Sequence, residues 1–183
     1  PALEVASSFR ISQVPLLTKI EADLLGNLLG RLQLENLDTL RSVSFQSLEH
    51  TNGLSLESCP NLESVDFARL SSTEFDVAIV RAGLQVVEFP SLQSARAITL
   101  AGNQHASVSM PALLRVERAS IRSNLELSTL NLERLSAIES SLEIVRNPDL
   151  PSDSICQILM QLEDEGGMPP QLDVESIPCE LFE

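Results

Sequence analysis

A short apolar motif recurs at steps of 21 or 22 residues, and it constrains the fold more than any other feature of the chain. The motif is an apolar residue, any residue, a second apolar residue and then a leucine three positions further on. Its copies begin at Val43, Val65, Val87, Val108 and Leu130. A period in this range is typical of solenoids, in which each repeat forms one structural turn stacked on its neighbours. The sequence therefore predicts a solenoid.

A second motif, apolar-x-apolar, stands ahead of the first in each repeat and predicts a β-strand. Its seven copies occupy residues 9–11, 32–34, 54–56, 77–79, 98–100, 119–121 and 142–144. Alternation over so few residues is strand geometry, because successive side chains of a strand point to opposite faces. We therefore predict a β-solenoid over residues 1–150, with about seven turns of ~22 residues each.

The residue three positions after each strand motif is expected to turn the chain. Four of these corner residues are Cys59, Asn103, Asn124 and Asn147. An asparagine amide can bond backbone groups that a turn leaves free, so we predict a ladder of corner asparagines inside the solenoid. The remaining corners hold Val14, Leu37 and Ala82, and they must close differently. Cys59, at an asparagine position, is predicted to be a buried free thiol.

The C-terminal part, residues 151–183, is predicted to cap the solenoid. Apolar residues at helical spacing predict a helix over about 153–165, with Ser152 as its N-cap. Cys156 on this helix and Cys179 near the end are expected to form a disulfide, which implies an oxidising compartment. The alternative is three reduced cysteines. At the other end Pro1 falls in the middle of a repeat, so we expect upstream turns, and any leader, to be missing.

Charge and composition exclude several classes of function. The formal net charge of −14 repels phosphate backbones, so nucleic acid is not an expected partner. No run of about 18 apolar residues occurs, so no membrane span is predicted in this chain. A lipid or wall anchor outside this chain remains possible. We expect no metal and no cofactor, because no common ligand motif accompanies the cysteines or histidines.

Candidate catalytic residues are few. His50 and His105 are predicted to be exposed loop histidines, and neither lies in a nucleophile motif. Asp66 and Glu88 occupy the same repeat position in successive turns, and such a carboxylate pair could hold a hard cation. The chain has six Phe and neither Trp nor Tyr, and these Phe are expected to point inward, leaving no aromatic platform for a sugar ring. We therefore predict that the protein is not an enzyme.

Outward positions of the strands supply the candidate binding residues. The centre of the predicted strand face is small and flat, and a flat, regular β surface can dock a partner. Three arginines lie just beyond the strands, and they either pair with neighbouring glutamates or receive an anionic ligand group. The candidate binding residues are Ser55, Ala78, Thr99, Ser120, Arg81, Arg122 and Arg146.

The repeat, which reads LSLESCPNLESVDFARL over residues 54–70, resembles that of receptor L-domain-like proteins, a branch of the leucine-rich-repeat superfamily. The segment Arg146-Asn-Pro-Asp-Leu150-Pro, followed by a helix, looks like the ending of bacterial secreted or surface members. The resemblance implies a right-handed β-helix used for recognition or as a wall-associated scaffold, without catalysis. It carries over no site residues, because the shared motif is structural.

Three functions remain open at this point. The first is a secreted or cell-surface recognition module that binds a protein or glycan partner through flat strand faces. The second is a structural spacer of a surface protein. The third is a calcium-assisted polysaccharide lyase or hydrolase, which would depend on the Asp66 and Glu88 pair.

Overall fold

Short strands separated by corners run the length of a computed structural model, which describes residues 5–175. In chain order the elements are β1 (Val5–Ala6), β2 (Phe9–Ser12), β3 (Lys19–Glu21), β4 (Asn27–Glu35), β5 (Ser42–Ser44), β6 (His50–Cys59), β7 (Ser64–Asp66), β8 (Ser72–Thr73), β9 (Asp76–Ala82), β10 (Val86–Glu88), β11 (Ser94–Ala101), β12 (Ser107–Ser109), β13 (Arg115–Arg122), β14 (Thr129–Asn131), β15 (Ala137–Val145), α1 (Ser152–Asp164) and β16 (Gln171–Val174). All seven predicted strand motifs lie in strands.

Every strand pairing within the described residues is parallel, as a coil of stacked turns requires. The strands form one ten-stranded sheet, hereafter the large sheet, and two three-stranded sheets on a second face, β3-β5-β7 and β10-β12-β14. The chain is therefore a parallel β-solenoid. It has about six turns instead of the predicted seven, since seven stacked strands enclose six complete turns.

The core is aliphatic apart from a column of phenylalanines. Phe45, Phe67 and Phe89 come from successive turns and are at most 1% exposed. The rings of Phe45 and Phe67 lie 5.8 Å apart, as do those of Phe67 and Phe89, and each pair is nearly parallel. Equivalent side chains thus stack along the axis, so each turn buries apolar surface against both neighbours and none has to be stable alone.

The corners combine a left-handed residue with the predicted asparagine ladder. Asn103 and Asn124 are at most 2% exposed, and the Asn124 carboxamide oxygen accepts from the Asn103 backbone N–H at 3.1 Å. The Asn124 amide nitrogen donates to the Leu100 carbonyl at 3.0 Å, and Asn147 repeats the arrangement one turn later. The ladder prediction is confirmed, because each amide satisfies backbone groups of the adjoining turn.

Positive φ angles occur one residue before the corner residues, a position that the sequence analysis did not single out. These left-handed residues are Gln13, Asn36, Ser58, Arg81, Gly102, Ser123 and Arg146. Most are not glycine, so the repeated corner geometry holds them in a conformation that L-residues seldom adopt.

The cap differs from its prediction in two respects, the residue that caps the helix and a strand that follows it. Helix α1 begins at Ser152, with Pro151 as its N-cap and no side-chain cap, so Ser152 is not the N-cap. Gly167 follows the helix and packs so closely that a Cβ there would lie 1.9 Å from the Ser136 carbonyl oxygen. Strand β16 then adds a further strand beside β15. Its hydrophobic pattern was too short and too far from the repeat to be predicted.

Two further findings concern cysteines and membranes. Cys59 is a buried free thiol, as predicted, and its burial raises the pKa of the thiol. Cys179 lies outside the described residues, so the disulfide between Cys156 and Cys179 stays a prediction. Within residues 5–175, no helix has the length and apolar character to cross a membrane.

Candidate ligand-binding face

The outward side chains at the centre of the large sheet form a row across the strands, in the register that the repeat predicts. Successive strand pairings place Ser55 beside Ala78, Ala78 beside Thr99 and Thr99 beside Ser120. All four are half-buried, as expected for outward side chains of a well-packed sheet. Four of the seven candidate binding residues therefore form one continuous row across the strands.

The middle of this face is a flat apolar patch. On β11, Ala97 and Ala101 lie two residues before and two residues after Thr99. Val80 of β9 pairs with Ala101. Ala97 and Ala101 are 7% and 8% exposed, so neighbouring atoms cover most of their methyl groups. We call Ala78, Val80, Ala97, Thr99 and Ala101 the flat patch. No side chain in it is longer than valine or threonine, so an equally flat partner surface can approach closely.

A small cavity of about 90 Å³, hereafter the notch, adjoins the flat patch at Ala78. Its residues are Arg31, Leu32, Gln33, Gly53, Leu54, Ser55, Glu57, Asp76 and Ala78. Gly53 lies in the notch without a side chain, and a Cβ there would make ordinary van der Waals contacts at 3.4 to 3.6 Å with Asp76, Arg31 and Phe75. A glycine inside a strand often marks a point where another group approaches the backbone.

Arg31 forms one wall of the notch and is held by an aromatic ring. Its Cγ lies 3.5 Å from the position of a Gly53 Cβ, and its guanidinium carbon lies 5.0 Å from the centre of the Phe75 ring. This is the geometry of a cation–π contact. Within residues 5–175, Arg31 forms no salt bridge. Its N–H donors are therefore oriented without being neutralised by a carboxylate.

Phe75 corrects the expectation that every phenylalanine points inward. It is half-buried and does not belong to the apolar core, because it lies in the loop before β9 beside the outward ladder of Arg31. The sequence could have indicated that Phe75 lies outside the core, because Phe75 falls outside both repeat motifs.

The three predicted arginines do not form one site. Arg81 and Arg146 are exposed left-handed corner residues, while Arg122 is the last residue of β13. The Arg81 Nε donates to the Ser58 hydroxyl at 3.2 Å, toward the preceding turn and away from Arg122. Arg146 instead lines a cavity of about 210 Å³ beside the start of α1. In the part of the chain that the structure describes, none of the three guanidinium groups forms a salt bridge, although the Arg146 backbone N–H donates to the Glu175 carboxylate at 2.5 Å.

The carboxylate pair on the second face is not supported by strand pairing. β7 and β10, which end in Asp66 and Glu88, belong to different sheets, so no ladder register joins the two residues. Asp66 accepts a hydrogen bond from the Ala68 N–H at 3.1 Å. Among residues 5–175, no group of three or more His, Cys, Asp or Glu side chains is arranged to hold a metal ion.

His105 is buried, so its prediction as an exposed histidine was wrong. It is 0% exposed, and neither ring nitrogen has a hydrogen-bond partner. Burial lowers its pKa from 6.5 to about 4. His105 is buried because of its position in the repeat. It lies two residues before a strand of the second face, and in five other turns a leucine that packs in or against the core occupies this position. The equivalent residues are Leu17, Leu40, Leu62, Leu84 and Leu127. His50, in contrast, is exposed and contacts the Ser72 hydroxyl at 3.0 Å.

The fold and its face define the protein as a parallel β-solenoid with a helical C-terminal cap and an outward sheet surface that carries a polar notch. Comparisons with protein-family models, with curated proteins and with solved structures find no match.

Proposed function

We propose that the protein is a non-catalytic recognition module of the receptor L-domain-like kind, which binds a protein or glycan partner through the large sheet. The observation that carries this proposal is the flat patch with a polar notch at its border. Binding surfaces commonly combine such an apolar area with a few polar groups that fix orientation. A secreted or cell-surface location is part of the proposal, and it is supported by the resemblance of the repeat.

A bulky charge in the flat patch should weaken partner binding. Thr99→Arg places a long cation at the centre of the patch, and we expect affinity to fall at least about tenfold, because a flat interface cannot close around it. The matched control is Ser109→Arg, which changes an outward residue of the same turn on the second face. Binding is measured by biolayer interferometry on partners selected from printed oligosaccharides and displayed protein domains.

Two outcomes would contradict this proposal. If wild type selects no partner from either collection, the structural spacer becomes the better account. If Ser109→Arg abolishes binding while Thr99→Arg leaves it intact, the large sheet is not the recognition face. Thermal melts of both variants establish that neither change acts by unfolding the chain.

A further inference from the structure

We propose that the notch binds the hydroxyl groups of a neutral sugar residue in a glycan that continues across the flat patch. This inference rests on the proposed function. It narrows the partner from a protein or glycan to a carbohydrate without ionised groups. Its basis is the donors and acceptors around Gly53 together with the size of the cavity.

The notch presents hydrogen-bond donors and acceptors in close proximity. Arg31 supplies donors only, Gln33 supplies both kinds, and the ionised carboxylates of Glu57 and Asp76 supply acceptors only. Ser55 donates its hydroxyl to Glu57 at 2.8 Å, which orients that carboxylate. A ligand group that both donates and accepts can satisfy both sets, and a hydroxyl does so at a single oxygen atom.

Charge disfavours an anionic ligand most strongly. An anionic group in the notch would meet the carboxylates of Glu57 and Asp76, and a cationic group would meet the Arg31 guanidinium. Since the chain as a whole carries −14, an anionic glycan is further disfavoured. A neutral polyhydroxyl group meets neither penalty.

Size and surroundings favour a sugar over a compact free ligand. A cavity of about 90 Å³ is well below the roughly 300 Å³ of sites that enclose whole small molecules. It therefore takes part of a larger ligand. The flat patch begins at Ala78 on the border of the notch, and its methyl groups suit the C–H face of an adjoining sugar ring. The Arg31 contact with Phe75 holds the donor wall in place before a ligand arrives.

The test is binding to a printed array of neutral, sialylated and uronate-containing oligosaccharides, followed by calorimetry with the best neutral oligosaccharide. We expect wild type to prefer neutral members. Arg31→Ala should weaken binding about tenfold or more, because it removes charged donors. Arg115→Ala is the matched control, since Arg115 is exposed on the same sheet and forms no salt bridge within the described residues. It should change affinity less than about twofold.

A carboxylate variant tests the acceptor wall. Asp76→Ala should also weaken binding about tenfold, whereas Glu88→Ala, an exposed carboxylate on the second face, should not. The inference is overturned if wild type prefers anionic oligosaccharides, if it binds none, or if Arg31→Ala and Arg115→Ala bind equally. Should a displayed protein domain still be captured in a Thr99-dependent manner, only the sugar inference fails. Loss of both kinds of binding removes the proposed function as well.

Discussion

Asn124→Ala should lower the free energy of unfolding by about 4 kcal/mol. The Asn124 amide joins three turns at once, since it accepts from the Asn103 backbone and donates to the Leu100 carbonyl and to Asn147. Alanine would leave a buried N–H and a buried carbonyl without partners, and each such group costs about 1 to 3 kcal/mol. The measurement is equilibrium unfolding in urea, with midpoint and slope both fitted.

The matched control for this variant is Asn27→Ala. Asn27 is exposed at the start of β4, so its replacement should change stability by less than about 0.5 kcal/mol. Near-equal stabilities of the two alanine variants would show that the corner ladder contributes little to the fold.

His105→Leu should stabilise the protein, and the gain should grow as the pH falls. Leucine fills the equivalent position in five other turns and leaves no polar atom unbonded, so a gain of about 2 kcal/mol is expected near pH 7.5. At that pH the histidine is neutral in both the folded and the unfolded state.

The pH dependence follows from the lowered pKa of His105. Folding holds this pKa at about 4 while the unfolded value is 6.5, so the unfolded chain binds a proton first. The stability of wild type therefore decreases between pH 6.5 and about 4, and His105 accounts for about 3 kcal/mol of that loss. The leucine variant lacks this contribution, so the difference between the two proteins should widen by this amount.

Parallel denaturation series of wild type, His105→Leu and His50→Gln at pH 7.5, 5.5 and 4 check this prediction. His50→Gln is the matched control, because it removes an exposed histidine and leaves His105 in place. A difference between wild type and His105→Leu that stays constant over this range would mean that the imidazole is not held neutral in the folded protein.

Much of the fold could be predicted because the repeat encodes it more than once. Each strand motif constrains the register of its neighbours, so the row from Ser55 to Ser120 follows from spacing alone. The ladder of Asn103, Asn124 and Asn147 was predictable for the same reason, since like residues recur at one corner.

Features that break the repeat were not predictable in the same way. β16 follows a helix and lies outside the period, and only the tertiary fold brings it beside β15. His105 was misread because the glycine and asparagine before it indicate a loop, although its repeat position belongs to the core. The notch depends on Arg31 crossing Gly53 to reach Phe75, a contact among three different turns that no local pattern indicates.

The most direct test of the account is a set of distances along the central ladder of the large sheet. Spin labels carried on an unnatural amino acid at Arg10 and at Ala78, Ser120 or Glu143 span three, five or six strand steps. Because parallel neighbours lie about 4.8 Å apart, we predict backbone separations of about 14, 24 and 29 Å by pulsed electron paramagnetic resonance. Separations that do not increase in proportion to the number of steps would contradict a stacked coil, and with it the flat patch and the notch.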